Sequence, residues 1–210
     1  MLALTVMACT PAQARGLATP VDLETYAELV DLEPHFQAFI GTPIVARSPA
    51  RCLDNLENEM LRMVDLRDRY LEVLLTHPRN AYSALALVRV AELHLDLAAR
   101  ARALPAPLDA SADEATAFYE ITEVYAVPLE RAGLSLIEQV DKLGFYEPLA
   151  APWVDRARLY LALHAAADHP SHVRVVRALK RRVALEPRFA PPSTLLDGDR
   201  LAPRAARLLP

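Results

Sequence analysis

If this chain performs chemistry, few of its residues can carry it. His164, Asp168, His169 and His172 are the densest set of metal-ligand types. Two histidines on one helix face need a spacing of three or four. Only His169 and His172 have it, and His169 stands before a proline. They read as surface histidines near a turn. Asp197-Gly198-Asp199 is a turn signal without the remaining ligands of a calcium loop. The acid pairs Glu57/Glu59 and Glu120/Glu123 have the residue types of a general acid and base, but they fall on helix faces expected to point outward. Cys52 has nothing nearby in sequence to orient it as a nucleophile and reads as a small apolar core residue. Gly-x-Gly-x-x-Gly, P-loop and Gly-x-Ser-x-Gly patterns are missing from the chain. The expectation is no catalytic residue, no metal, no cofactor and no enzymatic activity.

Two other features carry chemistry of address and charge. Met1-Leu-Ala-Leu-Thr-Val-Met-Ala8 is an apolar run of export-signal type that lacks the usual basic start. Val6-Met7-Ala8-Cys9 resembles a bacterial lipobox, which implies cleavage before Cys9 and lipidation of its amino terminus. Ala12-Gln13-Ala14 is a rival cleavage site, and an uncleaved apolar tail is the third alternative. The missing basic residues suggest a start internal to a longer signal. No other apolar run reaches the roughly 18–20 residues of a transmembrane helix. The expected location is the cell envelope, in the periplasm and anchored to the outer membrane as a lipoprotein. It is cytoplasmic if the amino terminus is not processed.

The formal net charge of −4 implies no general affinity for nucleic acid, and none is expected as a partner. Its distribution is uneven. From Ser171 to Pro210 there are nine basic and three acidic residues, a balance of +6 that leaves the first 170 residues at −10. Arg174, Arg177, Lys180, Arg181 and Arg182 are the candidates to face an anionic partner; solvated charge on a terminal helix explains them equally well.

These residues need elements to hold them. The chain has 210 residues, 53% of them hydrophobic and 24% charged, which excludes disorder throughout. Glycine numbers only 5, where average usage would give roughly 15. That count disfavours turn-rich barrels and glycine-lined nucleotide folds. Proline numbers 17 and punctuates a series of helices. The fold class is all-α: antiparallel helix pairs, with no convincing strand alternation.

Leu23, Tyr26 and Leu29/Val30 have helical spacing within 21–40, and Pro34 is expected to end or bend that helix. A second helix spans about 50–75, with Leu53, Leu56, Met60, Met63/Val64, Tyr70/Leu71 and Leu74 inward, and stops at His77-Pro78. A third, about 81–103, carries a narrow polar stripe of Arg89, Glu92, Asp96 and Arg100 in an otherwise apolar sequence, so it is expected to be central and wet on that stripe alone. Ser111-x-x-Glu114 is a capping box that opens the longest helix. Phe118, Ile121, Tyr125, Leu129, Ala132, Leu136, Val140 and Leu143 step along it with an eleven-residue rhythm, and Pro128 is expected to kink or break it. Gly144 is placed to cap it. Pro152 suits the first turn of a helix with Trp153, Ala157, Tyr160, Leu161 and His164 inward. Ser171 opens a last helix to about 185. Residues 1–20 are expected to be a signal-like segment and linker, 21–186 the helical domain, and 187–210 a proline-rich, flexible tail.

Leu66-x3-Tyr70-x2-Val73-x4-Pro78, followed by Leu87-x2-Val90-Ala91-x2-His94, resembles the second helix of one tetratricopeptide (TPR) repeat and the first of the next. His94 stands where tyrosine is usual there, and Leu66 where alanine is usual. From about Tyr70 to Leu163 the chain is also similar to TPR-type proteins of bacterial envelopes, through Ala84-x4-Arg89-x-Ala91-Glu92-Leu93, Leu104-Pro-Ala-Pro, Pro128-Leu-Glu-Arg, Gly144-Phe-Tyr and Trp153-x3-Ala157-x3-Leu161. The resemblance implies a short TPR-like α-solenoid, a close helix approach at Ala91, and a scaffold that binds other proteins in an envelope complex. It carries over no catalytic residue. Two alternatives stand beside it: docking of the basic terminal helix on anionic lipid or nucleic acid, and a helical small-ligand carrier with a pocket beside Tyr125, Tyr146 and Trp153.

Overall fold

Thr19 caps the first helix. Its N–H and its hydroxyl both donate to Asp22 Oδ2, at 2.8 and 2.7 Å, and the Asp22 N–H donates back to the Thr19 hydroxyl oxygen at 3.1 Å. Pro20 follows at the position where a fixed φ favours a helix and an N–H is not needed. In this computed structural model, which describes residues 19–40, 42–44, 49–78, 80, 82–143, 150–168, 189, 192 and 195, helix α1 spans Pro20–Ile40 and continues through Pro34. Of the expected end or bend at Pro34, the end does not occur: the turn beyond it buries Phe36 and Phe39.

Helix α2 spans Pro49–Thr76 and ends just before His77-Pro78, as the sequence predicts. Its buried face is Cys52, Leu56, Glu59, Met63, Leu66, Tyr70 and Val73. This stripe is rotated from the expected one: Leu53, Met60 and Leu74 are half-buried, and Glu59 sits inside. Helix α3, Ser83–Ala103, is preceded by Asn80, whose side-chain oxygen accepts the Tyr82 N–H at 2.8 Å. Every residue of α3 except Leu87 and Ala103 is buried, so it is the central helix.

Helix α4, Ala112–Leu143, begins at the expected capping box: the Ser111 N–H and hydroxyl both donate to Glu114 Oε2 at 2.8 Å, and the Glu114 N–H donates to Ser111 Oγ at 3.3 Å. It runs unbroken through Pro128. The eleven-residue rhythm is present on a shifted face: Phe118, Thr122, Ala126, Leu129, Gly133, Ile137 and Val140 are buried. Ile121, expected inside, is exposed, as is Val124. Helix α5 spans Ala151–Asp168, with Pro152 in its first turn. It buries Trp153, Ala157 and Tyr160 as expected, while Leu161 and His164 are half-buried.

α3 packs most extensively on α4 and then on α2. α1 packs on α2 and α3, and α5 on α4 and α3, so α3 lies between α1 and α5. At the α3–α4 crossing a Cβ on Gly133 would lie 2.7 Å from Leu95 Cγ and 3.0 Å from the Ala91 carbonyl oxygen. Only a residue without a side chain fits there. Gly144, Tyr146 and the basic helix expected at 172–185 lie outside the described residues.

Candidate functional site

The polar stripe of α3 is not wet. Arg89, Glu92 and Asp96 have no exposed surface and Arg100 is 9% exposed. The expectation that this strip faces solvent fails because Arg89, Glu92 and Arg100 meet opposite charges on other helices, and Asp96 pairs with Arg100 within α3. A guanidinium or carboxylate taken out of water must find a partner. Here the partners outside α3 are built into the packing of α1, α2 and α5.

The deepest set joins α1, α3 and α5. Arg89 forks onto Glu33 of α1, Nη2 to Oε1 at 2.6 Å and Nε to Oε2 at 3.1 Å. Its third nitrogen, Nη1, donates to Glu92 Oε2 at 2.7 Å. Glu92 Oε1 in turn forms an ion pair with Arg156 Nη2 and accepts from the Tyr160 hydroxyl, both on α5. Gln37 also donates to Glu33, at 2.6 Å. The Phe36 ring faces the Arg89 guanidinium at 4.1 Å, and a delocalised cation is well placed on such a face. Two arginines and two glutamates leave this set neutral.

Two further sets extend the stripe. Arg100 donates to Asp96 at 2.8 Å, to Glu59 of α2 at 3.1 Å and to the Thr42 carbonyl at 2.8 Å, with Phe39 at 4.5 Å from its guanidinium. Arg102 donates to Glu123 at 3.1 Å and to Glu130 at 2.7 Å on α4. Burial pushes the Glu33 carboxyl above its usual value, against the pull of Arg89. Burial also lowers Arg156, but Glu92 and Tyr160 outweigh it and keep the guanidinium protonated. The Tyr70 and Tyr160 phenols are both driven far above the ordinary tyrosine range by burial.

Those two tyrosines give a direct comparison. Tyr160 donates to a buried carboxylate. The fully buried Tyr70 hydroxyl has no hydrogen-bond partner among the described residues. Tyr160→Phe is expected to cost about 1.5–3 kcal/mol, the range for a bond to a charged group, whereas Tyr70→Phe should cost less than about 0.5 kcal/mol. Urea denaturation of the two variants checks this.

His94 is buried on α3, its Nδ1 bonded to the Val90 carbonyl at 2.8 Å. Burial holds its pKa below the ordinary 6.5, since an imidazolium here would be desolvated; the Val90 bond acts in the opposite direction. Below pH 6.5 the unfolded chain takes up the proton first, so stability falls as pH drops from about 6.5 toward the lower folded value. The slope approaches about 1.4 kcal/mol per pH unit, and there is no His94 contribution above that window. His94→Gln should remove this part of the slope in melts between pH 5 and 8. An unchanged slope would contradict it.

The residues singled out in the sequence are distributed as follows. Cys9 and the basic set Arg174, Arg177, Lys180, Arg181 and Arg182 lie outside the described residues, as do His169, His172, Asp197 and Asp199. Cys52 is buried and unpaired in the core. His164 is 40% exposed and 3.7 Å from Glu130. Among the described residues no three of His, Cys, Asp and Glu gather as a metal set. Glu57 and Glu120 are exposed as expected, but Glu59 and Glu123 turn inward to arginines on α3. Tyr125 donates to Glu57 at 3.1 Å, while Trp153 packs on Phe189, so these aromatics are engaged with different partners. An open groove of about 370 Å³ lies instead between α1 and α2, lined by His35, Phe39, Leu61 and Arg69 among others.

Sequence reasoning missed Phe189. It is fully buried against the charge set, with Arg89 5.7 Å from its ring centre and Arg156 donating to its carbonyl at 2.5 Å. Its only signal was an aromatic residue standing alone in a proline-rich segment. The arrangement ties α1, α3 and α5 together and holds Phe189. No protein-family model, curated protein or solved structure matches this chain.

Proposed function

We propose that the protein is a non-enzymatic protein–protein interaction scaffold of the bacterial cell envelope, built from TPR-like helix hairpins. The packing order carries this reading: each helix packs on its sequence neighbours, and α1, α3 and α5 lie side by side. Stacked helix pairs pack in this order, and such a stack offers an extended surface to a partner. The interior charges support it further, since four of their ion pairs join different helices. The envelope address rests on the lipobox-like Val6-Met7-Ala8-Cys9. No described helix is long and apolar enough to cross a membrane.

Brief crosslinking in the native host, followed by purification in mild detergent, should recover a defined set of partner proteins. A strictly monomeric protein that captures nothing from its own envelope would sink the scaffold reading. Intact mass tests the address separately. A chain beginning at Cys9 and carrying acyl mass supports envelope anchoring; a full-length, unmodified chain removes the anchor and leaves the scaffold to be tested elsewhere.

A further inference from the structure

α4 buries one side against α3 and α5 and leaves the opposite side to solvent. On that outer side Ala117, Ile121, Val124 and Pro128 are all exposed, spaced by four, three and four residues. Val124 is 71% exposed and Ile121 42%, so an apolar stripe lies in water rather than one stray side chain. Glu120 and Arg131, both exposed, bracket Ile121, Val124 and Pro128. Neither has an ion pair among the described residues, whereas Lys142 and Glu138, farther along the same side, pair at 3.1 Å.

The two bracketing charges are complementary but cannot meet within one chain. Eleven residues separate them, about 16 Å along a helix, with the apolar residues between. Two copies of α4 running antiparallel about a twofold axis would bring residues on either side of that axis opposite each other. With the axis beside Val124 and Tyr125, Glu120 of one copy lies opposite Arg131 of the other, and symmetry makes the contact twice. The same register sets Ile121 near Pro128 of the second copy and brings the two Val124 side chains together at the axis. It also brings Asp113 toward Glu138, whose charge Lys142 already offsets within its own helix. A parallel pairing would instead put Glu120 on Glu120 and Arg131 on Arg131. Like charges repel, so the face complements itself in the antiparallel orientation alone.

We propose that the outer face of α4 is a self-association surface whose occupant is a second copy of this chain, paired antiparallel through Ile121, Val124 and Pro128 with reciprocal Glu120–Arg131 contacts. The apolar stripe supplies the attraction, and the charges at its ends set direction and register, the division of labour in paired helices. One helix face is a small interface, about 1,000 Å² in all, so the dimer is expected to be weak, with a Kd of about 10 μM. The inference does not depend on the scaffold reading: the face pairs two copies whatever else the protein binds.

Sedimentation equilibrium of the full chain, at concentrations spanning that Kd, measures the association. Wild type is expected to pass from monomer to dimer. Val124→Glu changes an exposed position, so it should keep the helical circular dichroism and weaken the dimer about 100-fold. Glu120→Arg and Arg131→Glu each set like charges opposite one another twice and should weaken it about tenfold. Combined, the reversed charges meet again, and affinity should return to within about threefold of wild type. Damage to α4 from two substitutions would add rather than cancel, so this rescue reports the antiparallel register itself. A chain monomeric throughout, a higher oligomer, a dimer unchanged by Val124→Glu, or a double reversal no tighter than the single ones would each overturn the proposal. If Val124→Glu loses its helical spectrum, the charge-reversal cycle decides alone. A monomer that still captures envelope proteins removes this inference and leaves the scaffold reading, whereas a dimer that captures no other protein removes the scaffold reading alone.

Discussion

Glu92→Ala is expected to bring the protein close to unfolding, at a cost of about 3–5 kcal/mol, the usual penalty for stranding a buried charge. Against a total stability of about 5–15 kcal/mol, that is a large share. Glu92 holds both arginines of the deepest set and the Tyr160 hydroxyl, so one truncation removes three interactions. Arg89 keeps Glu33, but Arg156 is left with Tyr160 at 3.4 Å and the Phe189 carbonyl, neither of them charged. Glu92→Gln keeps the shape and loses the charge, and should fall between wild type and alanine. A second comparison asks what the charges contribute. Glu33→Leu, Arg89→Met, Glu92→Leu and Arg156→Leu combined leave no unpaired ion and should cost less than Glu92→Ala alone, because buried pairs seldom repay their desolvation. Urea denaturation midpoints of the three variants decide it. A combined variant less stable than Glu92→Ala would mean that the charges stabilise the helices outright.

Helix existence was legible in the sequence, while the choice of face was not. The stop at His77-Pro78, the capping box at Ser111 and the first-turn proline at 152 all follow from local backbone chemistry, and local rules recover them. The Thr19–Asp22 cap obeys the same rule and was overlooked. Pro34 and Pro128 show its limit, since packing beyond each proline outweighs one lost hydrogen bond. Faces were misread wherever the inward residue was charged or small. Glu59 points inward because Arg100 waits there, and no intrahelical pattern in α2 encodes that partner. Thr122, Ala126 and Gly133 are buried while Ile121 is exposed, because α4 approaches α3 closely enough to select for size over hydrophobicity. The charge stripe of α3 was seen and misassigned for the same reason: its partners outside α3 lie on α1, α2 and α5, far away in sequence. Phe189 could not be assigned, since a lone aromatic has no period.

Gly133→Leu is expected to cost about 3 kcal/mol, at the upper end of ordinary overpacking. Gly133→Ala should also destabilise, by about 1–2 kcal/mol, despite the roughly 1 kcal/mol that alanine gains over glycine inside a helix. The new methyl would lie 2.7 Å from Leu95 Cγ and 2.9 Å from its Cδ2. Cγ is the branch point of the side chain, so a χ2 change clears one methyl but only a change at χ1 moves the branch. The Ala91 carbonyl at 3.0 Å is a separate obstacle, because it belongs to the backbone of α3 and moves only with the helix. A double-mutant cycle separates the two. Leu95→Ala alone should cost about 2–5 kcal/mol through the cavity it leaves at a buried position. In that background the methyl of Gly133→Ala has space, and the substitution should turn stabilising by about 1 kcal/mol, a coupling of about 2 kcal/mol or more. A Gly133→Ala change that remains destabilising without the Leu95 side chain would assign the close approach to the Ala91 carbonyl, and α3 and α4 would then be spaced by backbone contact at this crossing.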